Sequence, residues 1–225
     1  MLSTTASILP LLASMFFVYH VHYRQFSACL VGGIGLLLAS CGTTPLPLEA
    51  YRAYLADPAH GLTHTAEANG ATVTCTYRPT DLLVWQDLTS MPATNPATRD
   101  SLTRAYAGKT YCTLTLARQG SEIENQFINE PATYQQVLTY LNTGIAADAF
   151  LATTPRDSVP AAASMYVRQY GTTGRSTLLL VFDTHQFTPR RGFHLTLRGQ
   201  RLGLGTLRFF FTASDLAALP PLKFN

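Results

Sequence analysis

Among the reactive residues of the chain, Cys41 is the one whose neighbouring sequence points to the most specific chemistry. It follows the apolar run 30–40, and the two residues directly before it, Ala39 and Ser40, are small. A secretory leader combines a basic start, an apolar stretch and small residues at the cleavage site. Arg24 supplies the basic start, because it is the only Lys or Arg before Cys41. The residues before Cys41 therefore have the composition of a secretory leader.

The tetrapeptide Leu38-Ala39-Ser40-Cys41 resembles the lipobox of bacterial lipoproteins. In those proteins a signal peptidase cuts before the cysteine, and the thiol receives a diacylglyceryl group. The resemblance implies a signal peptide over 1–40, a lipidated tether over 41–48 and a single globular domain over 49–225. It also implies a membrane partner, reached through the lipid on Cys41, and a location in the bacterial cell envelope. Lipidation with two or more chains gives a durable anchor.

The length of the leader and the residue after Cys41 refine this expectation. Forty residues precede Cys41, whereas leaders usually have about 15–30. Initiation at Met15 would give a leader of 26 residues, so residues 1–14 are predicted to be a misassigned start. Gly42 stands where some lipoproteins carry an aspartate that retains them in the inner membrane, which favours the outer membrane. The alternative is an uncleaved transmembrane anchor, but Arg24 divides the apolar residues into two runs that are short of the ~20 a span needs.

Short segments across most of the remaining chain resemble uncharacterised lipoproteins of Bacteroidota. The segments are Tyr54-Leu55-Ala56-Asp57-Pro58 with Gly61-Leu62, Tyr77-Arg78-Pro79-Thr80-Asp81-Leu82-Leu83, Asp157-Ser158-Val159-Pro160, Val181-Phe182-Asp183, and Asp215-Leu216 with Leu219-Pro220. The resemblance implies an envelope location. It brings no activity and no site residue.

Two further cysteines, Cys75 and Cys112, lie in predicted strands. Alternation places each of them on the apolar side of its strand, opposite threonines. In an oxidising compartment such a pair can form a disulfide. Two separate buried thiols that behave as small hydrophobic side chains are the alternative. The sequence leaves both open.

Other chemically capable residues form no recognisable catalytic or metal-binding set. His60 and His64 have the spacing of two ligands on one helix face, but Gly61 lies between them and favours a turn. Glu122 and Glu124 alternate on a possible edge strand, where we expect them to be exposed to solvent. No nucleophile elbow is present. We predict no metal site, no cofactor and no catalytic residue.

The C-terminal third is rich in aromatic and arginine side chains. Most of the aromatic residues are expected to fill the core. Strand alternation puts a smaller set on the outward face, where it would form a mildly basic, aromatic binding surface suited to sugars or aromatic ligands. This predicted surface comprises Arg168, Arg198, Arg208 and Phe210, with Arg201 nearby. His194 falls on the same polar face and is interpreted as a solvated surface histidine.

The elements that would position these residues are predicted from hydrophobic periodicity. Helices are predicted over 48–55, 81–89 and 131–141, with a short final helix over 215–219. Strands are predicted over 71–77, 110–117, 163–170, 177–182, 193–197 and 207–211. The segment 90–109 is expected to be a long loop or a frayed helix. Short connections favour hairpins, so the fold class is α+β: one domain with a mainly antiparallel sheet of about six strands and about three helices.

Composition limits the possible functions. Charged residues make up 13% of the chain, against ~25% in an average domain. No run of basic residues suggests nucleic acid as a partner. The lack of a catalytic set favours a non-enzymatic binding or assembly protein whose partner is an envelope protein or a glycan. An envelope hydrolase with site residues scattered over loops is the alternative.

The lipid anchor gives the first testable prediction. Cys41→Ser removes the thiol that would carry the lipid, so the protein should accumulate as an unprocessed precursor that takes up no labelled lipid. Mass spectrometry of the wild-type mature N-terminus provides the direct measurement. An N-terminus other than modified Cys41 would contradict the lipoprotein interpretation.

Overall fold

One antiparallel sheet organises the part of the chain that can be described. The computed structural model describes residues 44–92, 95–154, 157–185 and 191–224. Cys41 and the predicted leader 1–40 lie outside these residues. No described helix is both long enough and apolar enough to cross a membrane.

The described residues contain nine strands and five α-helices. The strands are β1 Thr63–Ala68, β2 Ala71–Arg78, β3 Lys109–Arg118, β4 Ser121–Glu122, β5 Ala149–Ala152, β6 Ser158–Val167, β7 Ser176–Asp183, β8 Phe193–Arg198 and β9 Thr206–Phe211. The helices are α1 Leu48–Ala56, α2 Thr80–Ser90, α3 Pro96–Tyr106, α4 Pro131–Thr139 and α5 Ala213–Ala218.

The sheet curves until its two edge strands meet. Its order is β1-β2-β3-β7-β6-β5-β8-β9, every neighbouring pair is antiparallel, and β4 pairs with the end of β3. β1 and β9 contact each other, and the rings of His64 and Phe211 lie 4.8 Å apart across this seam. The sheet is therefore nearly closed and barrel-like.

Strand alternation fills the interior of this barrel. Inward-facing residues of neighbouring strands, such as Leu114, Leu180 and Leu195, are fully buried. Helix α4 continues through the turns Tyr140–Gly144 and Ile145–Asp148, and side chains of this segment join the same core cluster. Because the inward positions are apolar, the alternate residues of each strand face outward.

A second, smaller core joins both ends of the described chain. Leu46 forms an isolated parallel bridge with Leu222: its N–H donates to the Pro221 carbonyl at 2.9 Å, and its carbonyl accepts from the Lys223 N–H at 2.8 Å. Tyr51 of α1 is buried beside Leu222 in the same cluster. Leu46, which lies within the predicted tether 41–48, is therefore part of the folded domain.

The α+β class and the antiparallel sheet are confirmed, but the predicted element counts were too low. Strands β1 and β5 were missed, and β4 was anticipated only as a possible edge strand around Glu122 and Glu124. The Asn69-Gly70 turn between β1 and β2 has positive φ at both residues, 49° and 74°, and this dipeptide is a strong hairpin signal. Of the two alternatives predicted for 90–109, a long loop or a frayed helix, the structure shows the helix. Helix α3 occupies most of that segment, and its N-cap Asn95 accepts a hydrogen bond from the Thr98 N–H at 2.9 Å.

Cys75 and Cys112 are neighbouring buried thiols. Both point into the core and both are free in the structure. The register of β2 and β3 opposes Cys75 to Leu114 and Cys112 to Tyr77. The cysteines are thus diagonal neighbours, a relation with a typical separation of ~7–8 Å, whereas a disulfide spans up to ~7 Å between Cα atoms. The register favours two thiols over a bond.

We therefore expect a thiol count that changes with folding. In the native mature protein neither cysteine should react with a thiol reagent, because both are buried. Burial also raises the pKa of Cys75, and the contact with Cys112 adds to that rise, so the reactive thiolate is scarce. After denaturation without reductant, two thiols should react. A count of zero would establish the disulfide instead.

Candidate functional site

A shallow groove lies on the outward face of the sheet where β5, β8 and β9 run side by side. Cross-strand pairing puts Phe150, Thr196 and Arg208 in one row of this face. The next row contains Ala152, His194 and Phe210. The groove, called here the sheet groove, encloses about 450 Å³ and is lined by Phe150, Ala152, Ser158, His194, Thr196, Arg198, Arg208 and Phe210.

Differences in side-chain size give the groove its shape. Phe150 and Phe210 are large and lie two strands apart, which corresponds to about 10 Å across the sheet. Thr196 on the intervening strand β8 and Ala152, two residues after Phe150 on β5, are small. Phe210 keeps 59% of its surface exposed. The large side chains form two walls, and the small ones form the floor between them.

Two arginines give the sheet groove its charge. Arg198 lies over the ring of Phe150, with 4.4 Å between the guanidinium carbon and the ring centroid. Arg208 is a diagonal neighbour of Arg198, because Arg198 pairs with Thr206 and Arg208 with Thr196. Diagonal neighbours are ~7–8 Å apart, within reach of one bound anion for long side chains.

These two charges have no acidic partner among the residues that the structure describes. The ion pairs found there involve Arg52, Arg201 and two histidines, but neither Arg198 nor Arg208. None of the described residues that line the groove carries a carboxylate. A guanidinium without an acidic partner presents several N–H donors in one plane, and these match the oxygens of a carboxylate or phosphate group.

His194 completes one wall of the sheet groove. Its ring lies 5.6 Å from the ring of Phe210, centroid to centroid, with a tilt of 38°. The sequence-based interpretation as a solvated histidine missed this contact. The pair presents adjacent ring faces, which suit the stacking of a flat or ring-shaped ligand.

Three of the four residues of the predicted binding surface meet in the sheet groove, namely Arg198, Arg208 and Phe210. Arg168 does not join them. Its Nη2 donates to the Tyr134 hydroxyl at 2.6 Å, and its guanidinium lies 4.6 Å from the Tyr170 ring centroid. Arg201 is also elsewhere, 3.9 Å from a carboxylate oxygen of Asp148.

Phe150 is the groove residue that sequence reasoning missed outright. It lies on β5, which has only four residues and follows irregular helical turns. So short an apolar run gives no clear period. Strand alternation in the sequence placed Arg198 and Arg208 on the outward face of β8 and β9. This pattern was enough to predict one side of the groove.

A second polar cluster is buried at the end of β3, and it corrects one expectation. Glu122 and Glu124 are 2% and 0% exposed, not solvated. The Gly171 N–H donates to Glu122 at 2.7 Å. Tyr166 and Ser176 donate their hydroxyl hydrogens to the two oxygens of Glu124. Glu122 is therefore held by the turn between β6 and β7, and Glu124 by a side chain from each of these two strands.

The electrostatics of this cluster favour a structural role. Burial, together with the hydrogen bond and the charge of Glu124, raises the pKa of Tyr166 well above its ordinary value. Tyr166 thus stays protonated and remains a donor. The Ser176 hydroxyl also accepts from the Ile123 N–H at 2.9 Å. The network ties the β3–β4 hairpin and the turn after it to β6 and β7.

The histidines that could have shared a metal ion are on different elements. His60 lies in the 3₁₀ turn Pro58–His60 and stacks on Tyr54 at 3.6 Å. His64 lies on β1, and its Nε2 is 3.0 Å from the Gly61 carbonyl oxygen. Within the described residues, no group of three or more metal-ligating side chains is present.

Comparisons with known proteins add little to this geometry. No protein-family model matches the chain, and no curated protein matches it. A crystal structure of a protein of unknown function from Burkholderia pseudomallei is similar at a TM-score of 0.36 and 12% sequence identity, covering 78% of this chain and 94% of that one. A similarity of this size supports no conclusion about function.

The buried network predicts a difference between two Tyr→Phe changes. Tyr166→Phe leaves one oxygen of buried Glu124 without its donor, so the free energy of unfolding should fall by about 1.5–3 kcal/mol. Tyr134→Phe, the matched control, removes a hydroxyl that contacts exposed Arg168, and should change it by less than about 1 kcal/mol. Urea unfolding measures both. Equal, small effects would show that the network contributes little stability.

Proposed function

We propose that the protein is a lipid-anchored component of the bacterial cell envelope that binds an anionic glycan in the sheet groove. The anchor rests on the lipobox-like sequence ending at Cys41. The glycan proposal rests on one observation: Arg198 and Arg208, which have no acidic partner among the described residues, line the same groove as Phe150 and Phe210.

The chemistry of the groove selects this ligand class. Arg198 and Arg208 match carboxylate or phosphate groups, which would supply the missing negative charge. Phe150 and Phe210 offer ring faces about 10 Å apart, a distance that spans more than one sugar ring. The groove is shallow and open to solvent. An acidic polysaccharide could pair its negative charges with the arginines and stack its sugar rings on the phenylalanines.

An envelope hydrolase remains the second candidate, on a specific observation. Two buried carboxylates, Glu122 and Glu124, are a feature that acid–base hydrolysis uses. However, Glu124 has no exposed surface, and both of its oxygens accept hydrogen bonds within the protein. A substrate could reach it only after the network opened. Glycan binding without hydrolysis is therefore the better-supported function.

The groove predicts a charge-dependent affinity. Tetragalacturonate should bind, and its affinity should fall as salt is added, because salt screens exposed charges. Arg198→Gln and Arg208→Gln should each weaken binding about tenfold or more, since each removes a charged hydrogen-bonding partner. Isothermal titration calorimetry measures the change.

Two controls separate this site from general charge. Arg175→Gln removes an exposed arginine that lies outside the groove lining and should leave affinity unchanged. Maltotetraose, a neutral oligosaccharide, should bind more weakly than tetragalacturonate. Equal binding of both sugars, or equal losses in the Arg175 and Arg198 variants, would contradict the proposal. Release of shorter sugars during the titration would favour the hydrolase.

A further inference from the structure

A second recess lies between α2, α3 and the C-terminal tail, and its lining is mainly apolar. It encloses about 700 Å³ and is lined by Trp85, Leu88, Thr89, Met91, Asn95, Pro96, Arg99 and Phe224. Met91 is 38% exposed. The guanidinium of Arg99 lies 3.7 Å from the centroid of the Phe224 ring. This feature, called here the helical recess, contains no acidic side chain.

The helical recess lies close to the point where the chain from Cys41 joins the fold. Leu46 is paired with Leu222, and Phe224 of the recess follows two residues later on the same tail. Leu46, Trp85 and Phe224 all pack against the small core that joins the two ends of the described chain. The recess and the attachment point therefore belong to the same side of the domain.

The tether is too short to let this side move far from the membrane. Five residue steps separate Cys41 from Leu46. An extended chain advances at most ~3.6 Å per residue, so these steps span no more than about 18 Å. Leu46 itself is fixed by its two hydrogen bonds to the tail. A lipid on Cys41 would thus hold the attachment side within about 18 Å of the bilayer surface.

The residues of the recess match the chemistry of a membrane interface. Trp and Arg are amphipathic side chains that favour the boundary between headgroups and acyl chains. Met91 is exposed and Trp85 and Phe224 are half-buried, so each keeps apolar surface that a bilayer held beside this side of the domain could contact. The recess offers Trp85, Met91 and Phe224 as apolar groups and Arg99 as a cation for lipid phosphates.

We infer that the helical recess rests on the membrane to which Cys41 is anchored, with Trp85, Met91 and Phe224 at the level of the lipid headgroups. This inference depends on the lipid anchor of the proposed function and is independent of the glycan. The short tether limits only the distance between the domain and the membrane. Contact between the recess and the lipid would also restrain the orientation of the domain.

The chain contains one tryptophan, Trp85, so its fluorescence reports on the recess without added probes. The lipidated mature protein is reconstituted into vesicles of phosphatidylethanolamine and phosphatidylglycerol, with or without lipids brominated near the headgroup end of the acyl chain. Bromine quenches only a nearby indole. We expect the emission of Trp85 to shift to the blue on reconstitution and to lose most of its intensity in the brominated vesicles.

A pair of methionine variants provides the control. Met91→Asp places a charge on the rim of the recess and should restore most of the lost emission. Met165→Asp places the same charge on β6, at a position that is 56% exposed and outside the recess lining, and should leave the quenching unchanged.

Flotation of the vesicles distinguishes a failure of the lipid anchor from a failure of the recess to contact the membrane. Protein that floats but shows no quenching of Trp85 would overturn the inference and leave the lipid anchor intact. Protein that fails to float would overturn both. A blue shift produced by soluble decanoate in the absence of vesicles, with no quenching in them, would show that the recess takes a small ligand instead. Crosslinked dimers that shield Trp85 from the brominated lipid would show that a second copy covers it.

Discussion

The fixed register between β8 and β9 is the constraint on which the proposed site depends. Six residue pairs join these strands, from Phe193 with Phe211 to Arg198 with Thr206. Side chains alternate between the two faces of a sheet, so a slip of one residue would exchange the inward and outward sets. Leu195 and Phe209 are buried in the barrel. Their burial opposes such a slip and keeps Arg208 and Phe210 on the outward face.

The near closure of the sheet strengthens this constraint. Phe211 on the last strand packs against Phe193, with 4.7 Å between ring centroids, and against His64 on the first strand. The interior is filled from all sides, so few inward positions tolerate a polar group. The outward positions can carry polar and charged side chains, because they are not buried in the interior. A cationic and aromatic groove can therefore form there without cost to the core.

The two ends of the described chain are held together by the smaller core and not by the barrel. Leu46 and Leu222 form a single bridge, and the small core beneath it includes residues from α1, α2 and the tail. This arrangement fixes the place where the predicted tether 41–48 joins the fold. If Cys41 carries the proposed lipid, the short spacer limits the distance between this side of the domain and the bilayer.

The sequence predicted regular, strongly patterned elements and missed short or weakly apolar ones. β8 has clear alternation, and its outward Arg198 was placed correctly. β1 contains only small or polar residues, so its hydrophobic pattern is faint, although Asn69-Gly70 signalled the hairpin. β5 is four residues long, which hid Phe150 from the predicted surface. Arg168 was misplaced because one-dimensional alternation cannot show that Tyr134, on a distant helix, contacts it. The buried Glu124 accepts from two hydroxyl groups and the buried Glu122 from the Gly171 N–H. All three donors lie more than forty residues away along the chain, which local patterns do not contain.

The central claim is that the outward face of β5, β8 and β9 binds an acidic glycan. Nuclear magnetic resonance of the labelled protein during titration with tetragalacturonate tests it most directly. The side-chain Nε–H signals of Arg198 and Arg208 should shift together with backbone amides of these three strands, while those of Arg99 and Arg168 stay in place. Shifts at Arg99 or Arg168, with Arg198 and Arg208 unmoved, would contradict it.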